Sequence, residues 1–588
     1  MQRGISVLAF FVPAFIMLVL FIIRGIYPFG DRSFLFSDMY HQYMPFLSEF
    51  VHKIKAGEGL FYSYNVGIGS NFLALYVYYL ASPFNWLVFL LPEGLIMEFM
   101  SYLVILRIGL MGLTFSIYLR KVFGKEDPAA LLFSTAYALS GYLAAYNWNV
   151  MWLDCLILLP LILLGAERLV REGKWVMYTV TLGLCILTNY YISIMICIFL
   201  VLYFGMFLIT EYYTMTEGQS SKARIVFGRI GRFAFASLLA GGLAAVLLIP
   251  EVCAILRTDF GNSDFPGTLE SYFSVFDMLA RHCLCVTTER GLEHWPNIYC
   301  GVAVFLLVPM YALNEKISVR KRFCNLALAG FLLLSFGTNV LDFLWHGLNY
   351  PDSLPARQSF LYIFLILVMC YDAFRNVEGT SPRQIIYGYL AAVIFLLACE
   401  KFVESEDFDT GIEVLTLVFV TIYGVLLYLY RTRKDELTRQ VLGILVLACV
   451  VAELSINTFN TSLGTTGRSA YLGDQEDYKA LYALAQEQEG DDFFRIEKFT
   501  RKTKNDGTLT GYPTASVFSS TMNSNVMDLY KMLGMRHSKV YYGFDGATAF
   551  VSALLNVDYM FGESDKYENG LYEIVNNSGD VYLYHCKY

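Results

Sequence analysis

Charge is scarce in this chain: Asp, Glu, Lys and Arg make up 16% of its 588 residues, against about 25% in ordinary globular domains. With 56% hydrophobic residues, that scarcity excludes a conventional water-soluble protein and leaves a polytopic membrane protein. A basic stripe is also missing. The formal net charge is -8 and the lysines and arginines fall in short clusters between apolar stretches, so nucleic acid is excluded as a partner. No P-loop, dinucleotide fingerprint, nucleophile elbow or internal repeat occurs, which removes soluble nucleotide chemistry. The twelve cysteines form no C-x-x-C pair, so a zinc site is not supported. Cys185, Cys197, Cys370 and Cys449 lie inside apolar runs and read as small core residues. Cys283, Cys285 and Cys300 fall on a segment expected outside, where a disulfide is possible and no pairing is chosen.

What the chain has instead is apolar windows, near 5–23, 96–119, 129–146, 153–167, 176–190, 192–210, 233–250, 298–313, 323–337, 359–374, 385–399, 411–430 and 440–456. The fold class they imply is mainly α, a polytopic integral membrane protein of about 13 transmembrane helices over 1–456. The run from Ile5 to Ile23 lacks a signal-peptidase exit and is expected as an uncleaved anchor. Basic clusters at 120–121, 168–174, 222–232, 316–322 and 431–439 fall on alternate connections, which puts the N-terminus in the cytoplasm. This parity depends on 176–210 turning back at Asn189-Tyr190-Tyr191 instead of running as one broken helix. The first outer loop, about 24–95, is long yet apolar, and its segments 72–80 and 84–91, split by Ser82-Pro83, read as interfacial or re-entrant helices. A second outer loop covers 251–297. From 457 to 588 no span remains, and an extracytoplasmic mixed α/β module is expected, with strands near 493–499 and 582–584 and a helix near 525–533.

Several polar residues gather at the outer rim. Asp38, about fifteen residues after the first span, is either a carboxylate acting on something held by the membrane or the N-cap of a helix starting at Met39. Asp154 is either faced by a partner or wet cavity, or is a helix-start carboxylate placed against the dipole. Arg107, inside the second span, suits its counter-ion or a lipid-phosphate ligand equally. Arg357 starts a span, where its planar fork suits a headgroup phosphate or its stem snorkels. Arg281 lies in the second outer loop. The turn Gly67-Ile68-Gly69-Ser70-Asn71 offers close approach to a ligand or only flexibility.

Taken together, Asp38-Met39-Tyr40-His41-Gln42-Tyr43 with Pro45-Phe46, the Gly67-to-Asn71 turn with Ser82-Pro83, Trp152-Leu153-Asp154 followed by Pro160-Leu161, and Asn189-Tyr190-Tyr191 resemble the YfhO family of bacterial membrane proteins. Pro355-Ala356-Arg357-Gln358-Ser359-Phe360, Phe518-Ser519-Ser520 and Leu554-Leu555-Asn556-Val557-Asp558-Tyr559 extend the match. That family belongs to the GT-C class of lipid-dependent glycosyltransferases, and relatives look longer than this chain. The resemblance implies an outer-face transferase moving a sugar from a polyprenyl-phosphate carrier to a cell-envelope acceptor such as teichoic or lipoteichoic acid. It makes Asp38 the general base and Arg357, Arg107, Arg281, Asp154, His41, Gln42, Asn189 and Tyr190 substrate contacts, with the first outer loop cradling the prenyl chain. No D-x-D stands at Asp38, so transfer without a metal or other cofactor is expected. A transporter or lipid flippase, and a glycan-binding envelope protein without catalysis, are the competing classes.

Overall fold

The uncharged N-terminal run folds as one helix, Gln2–Ile23, in a computed structural model that describes residues 2–588 apart from 125–126, 219–220, 260–263 and 352. Each of the thirteen apolar windows contains a helix, although 298–313 is helical only from Val304 and 129–146 is broken into Ala129–Ala138 and Gly141–Tyr146. By length and composition, nine helices among the described residues can cross a membrane, or ten if the bent pair Phe72–Leu80 and Pro83–Leu90 counts as one span. The other four windows are helices of 10 to 19 residues: Val176–Thr188, Val304–Leu313, Val319–Gly337 and Ser359–Arg375. The open question at residue 189 is decided by backbone geometry. Asn189 leaves helical conformation at φ -161°, ψ 103°, and its side chain accepts from Ile192 N, so Val176–Thr188 and Tyr190–Thr216 are two helices.

Basic residues collect at one end of the bundle. Arg171 pairs with Glu211 at 3.2 Å, Lys316 with Glu378 at 2.8 Å and Lys321 with Asp372 at 2.7 Å, while Arg431 Nε donates to Thr380 O at 2.8 Å. Helix Ile96–Phe123 shows that Asp38 lies at the other end. Its Arg120 reaches Ser6 near the start of the first helix, whereas its Glu98 pairs with Arg468, just past the last long helix, Glu436–Thr461.

The segment leading to Asp38 is pinned from the same side, because strand Arg32–Ser33 pairs antiparallel with Thr466–Gly467 and Ser469 Oγ donates to Asp31. Beyond Thr461 the chain builds a four-stranded sheet in the order Tyr572–Ser578, Val581–Cys586, Val557–Gly562, Arg495–Lys498; only the last pairing is parallel. The expected helix appears as Ser524–Met532. All twelve cysteines are free thiols, so the outer trio is not bridged.

This strand-bearing region docks on the first outer loop. Arg495 Nη2 donates to Ile68 O at 2.9 Å, Thr508 Oγ1 to Asn65 O at 2.6 Å and Asn505 Nδ2 to His41 O at 2.7 Å, while the Tyr542 hydroxyl accepts from Ile68 N. The loop can come this close because Gly67 has no Cβ: at φ +59° a Cβ there would strike the Tyr542 hydroxyl. Gly67→Val therefore carries both backbone strain and a clash, and it should release the docked region. Limited proteolysis should then cut within residues 491–545 faster than in the wild type, and equal cutting rates would contradict the docking role of the turn.

Candidate functional site

Two π-helical turns face each other at the end of the bundle opposite the basic residues. Met39–Tyr43 carries Asp38 at its start and runs into helix Met44–Lys55, and Tyr76–Leu80 ends before the Ser82-Pro83 break. Such turns widen the helix, add a residue and recur at functional sites. Here they bring aromatic rings inward: Tyr43 and Tyr79 lie 5.6 Å apart between centroids, and Phe46 and Tyr79 4.9 Å. The Tyr43 hydroxyl donates to Asn149 Oδ1, and the Tyr79 hydroxyl accepts from Ser520 N at 2.8 Å. The C-terminal region thereby closes one side of the site through Phe518-Ser519-Ser520.

Asp38 is half-buried at this point, and its carboxylate makes no capping bond to the helix that follows, so the capping reading is not what the structure shows. Burial raises its pKa from 3.8 to about 6, and the positive charge of Arg357 holds back part of the rise. A carboxylate in that range is ionised at neutral pH and still basic enough to take a proton.

Arg357 stands where the chain re-enters the bundle. Leu354 and Ala356 flank it at φ +59° and +49°, conformations that L residues other than glycine adopt at a cost. The loop is held there by Tyr146, whose hydroxyl donates to Pro355 O at 2.8 Å. The guanidinium folds back on its own loop, Nε donating to Leu354 O at 3.0 Å and Nη2 to Ser353 O at 2.9 Å. It also lies 5.3 Å from the Trp152 ring centroid and 5.1 Å from that of Tyr191. No carboxylate among the described residues forms an ion pair with it, and Tyr191, Tyr78, Tyr146 and Tyr142 lie within its electrostatic reach.

Several of the other expected contacts have partners within the fold. Arg107 and Asp154 are paired inside the bundle, Nε to Oδ1 at 2.9 Å, with side chains 0% and 3% exposed; Arg107 Nη2 also donates to Ser82 Oγ at 2.8 Å. Both are buried, and Arg107 Nη1 and Asp154 Oδ2 have no hydrogen-bond partner among the described residues. Arg281 is likewise spent on its own loop, donating to Thr287 O at 2.6 Å, Pro296 O at 3.3 Å and Asn297 Oδ1 at 3.4 Å. Asn189 caps a helix. His41 turns away from Asp38 toward the C-terminal region, its ring 6.3 Å from Phe518, and burial there lowers its pKa. Gln42 is buried on the same π turn as Asp38. Tyr190 stays at the site, its ring 6.1 Å from Tyr78.

The aromatic walls, Tyr43, Tyr78, Tyr79, Trp152 and Tyr191, were given no role at the site by sequence reasoning, although Tyr43, Trp152 and Tyr191 fall within the motifs it singled out. A cluster such as Tyr76-Val77-Tyr78-Tyr79 carries the same signal as a headgroup belt, and only the π turn separates the two.

A family model described as "Bacterial membrane protein YfhO" matches residues 9–588. Among curated proteins, the uncharacterized protein YfhO of Bacillus subtilis (strain 168) is 21% identical over 498 residues, covering 80% of this chain; the chain spans about half, 54%, of that relative's length. Among solved structures, the arabinofuranosyltransferase AftD from Mycobacteria superposes with TM-score 0.51 at 12% identity, over 100% of this chain and 40% of that one. ArnT from Cupriavidus metallidurans, bound to undecaprenyl phosphate, gives TM-score 0.43 at 13% identity over 97% of both chains. The fold is thus polytopic and similar to that of AftD, with a strand-bearing C-terminal region.

Proposed function

The chain belongs to the YfhO family of bacterial membrane proteins, and from that premise we propose that it is a membrane glycosyltransferase which moves a sugar from a polyprenyl-phosphate carrier to a cell-envelope acceptor. The observation that carries this reading is the pair formed by Asp38 and Arg357: a carboxylate with raised proton affinity facing a guanidinium that no carboxylate neutralises, between aromatic walls. The AftD likeness in fold, with the transferase activity its name states, supports the class.

Transfer needs two charges handled at once. The acceptor hydroxyl gives its proton to Asp38 while its oxygen bonds the anomeric carbon. The bond from that carbon to the phosphate oxygen breaks, and the carrier leaves as polyprenyl phosphate, whose added charge the Arg357 fork stabilises. Tyr43, Tyr79 and Trp152 shield this exchange from water. The site belongs on the outer face in this reading, because the basic ends of the helices collect at the opposite end of the bundle. An envelope polymer of the teichoic or lipoteichoic type is the acceptor class, and a lipid-linked neutral sugar the donor.

Purified protein in detergent, given synthetic polyprenyl-phosphate sugars, should consume donor only when acceptor is present; no consumption with any donor and acceptor pair would overturn the reading. The same assay tests Arg357. A phosphate takes the planar fork bidentately, and lysine keeps only a point charge. Arg357→Lys should raise the donor KM or lower kcat/KM by about tenfold and Arg357→Ala by up to about 100-fold, in line with roughly 1.5–3 kcal/mol for a hydrogen bond to a charged group. A lysine variant whose donor saturation curve overlays the wild type would remove Arg357 from the site.

A further inference from the structure

Helix Lys222–Ile255 turns mostly apolar side chains outward, and only Ala236, Ala240, Ala244 and Glu251 are buried. Three alanines followed by a glutamate on one inward stripe call for an explanation, because a buried carboxylate without a partner is expensive. Glu251 is 0% exposed. Neither of its oxygens accepts a hydrogen bond of good geometry from the described residues, although the Tyr190 hydroxyl lies alongside, and no cation faces it. The sequence signal was only Pro250-Glu251 at the end of an apolar run.

Its surroundings lead back to the site. Tyr78, on the π turn Tyr76–Leu80, packs against Tyr190 and lies within electrostatic reach of Arg357, Tyr191 and Glu251. Arg357 and Glu251 therefore both lie within reach of the same tyrosine. In a polyprenyl-phosphate donor the sugar is joined directly to the phosphate, so with the phosphate at Arg357 the sugar hydroxyls fall one ring away. The wall between them is locally irregular, a π turn followed by a 97° bend between Phe72–Leu80 and Pro83–Leu90.

We infer that Glu251 reads the donor's sugar: once Tyr78 turns aside, its carboxylate accepts hydrogen bonds from hydroxyls of a neutral, hydroxyl-rich sugar. This rests on the proposed transferase activity and names the part of the donor that the site selects. A carboxylate is acceptor-only and takes two neighbouring hydroxyls, and its cost of burial is relieved only when they are present. Sites built this way reject the analogue that lacks the hydroxyl far more strongly than apolar pockets reject a missing methylene.

The test uses the full-length protein in detergent with a polyprenyl-phosphate sugar and its monodeoxy analogues, reading kcat/KM for each. In the wild type, at least one deoxy position should cost about 100-fold or more. Glu251→Leu should lower the parent donor to the level of that analogue, so that the two are consumed equally. Glu251→Gln, which keeps the volume and one acceptor oxygen, should fold as the wild type does and discriminate less. A Glu251→Leu enzyme that keeps the wild-type ranking of analogues overturns the inference and leaves the transferase reading standing. If Glu251→Leu does not fold, a Glu251→Gln enzyme with wild-type rates and ranking overturns it. A wild type that consumes no donor overturns both.

Discussion

Asp38→Asn should lower turnover by about 10²- to 10⁴-fold, the range for removing a general base, while the protein folds and binds donor as before. Asparagine keeps the size and the acceptor oxygen of aspartate and loses only the basic lone pair. Stability supplies the control, and its sign follows from linkage. Burial raises the folded-state pKa from 3.8 to about 6, so between those values the folded protein binds a proton more readily than the unfolded chain, and stability falls as pH rises through that window. Near pH 7.5 the ionised carboxylate is a burden that asparagine does not carry. Tm of Asp38→Asn should therefore equal or exceed that of the wild type while activity collapses. The wild-type kcat/KM should also fall as pH drops through about 6, following loss of the ionised base, with slope one on a logarithmic plot. Near-wild-type turnover in Asp38→Asn would end the catalytic assignment.

Arg107→Met should cost about 3–5 kcal/mol, because it strands Asp154 as an unpaired charge in the interior of the bundle. The double variant Arg107→Met with Asp154→Leu removes both charges and should recover most of the loss, since an apolar pair of similar volume is often neutral or better than a buried ion pair. Denaturation in detergent, followed by the tryptophan signal, would measure both. Recovery should not be complete. Arg107 Nη2 also holds Ser82 Oγ at 2.8 Å, at the break that orients the Tyr76–Leu80 turn, so the double variant should remain slower in donor turnover than its Tm suggests. Were Arg107 a ligand of the carrier phosphate instead, the single variant would raise the donor KM at unchanged Tm.

Helix positions were legible in the sequence because crossing a membrane is a property of local length and hydropathy: every apolar window contains a helix, and Ser82-Pro83 marks the break it was expected to mark. Asp38 stood out in the sequence by its place soon after a span, and the structure adds its burial and raised proton affinity. What each polar side chain is used for was not legible, because that depends on which partner reaches it, and the partners come from distant parts of the chain. Arg107 meets Asp154 across 47 residues and Tyr79 meets Ser520 across 441. Arg107 inside a span, Arg281 in a loop, and Asn189 and Arg357 at span ends all read along the sequence as polar residues that could touch a ligand. Tertiary packing pairs the first, ties the second to its own loop and makes the third a cap, whereas Arg357, which also bonds its own loop, lies within electrostatic reach of Asp38, since buried donors and acceptors take whatever partner the fold brings within about 3 Å.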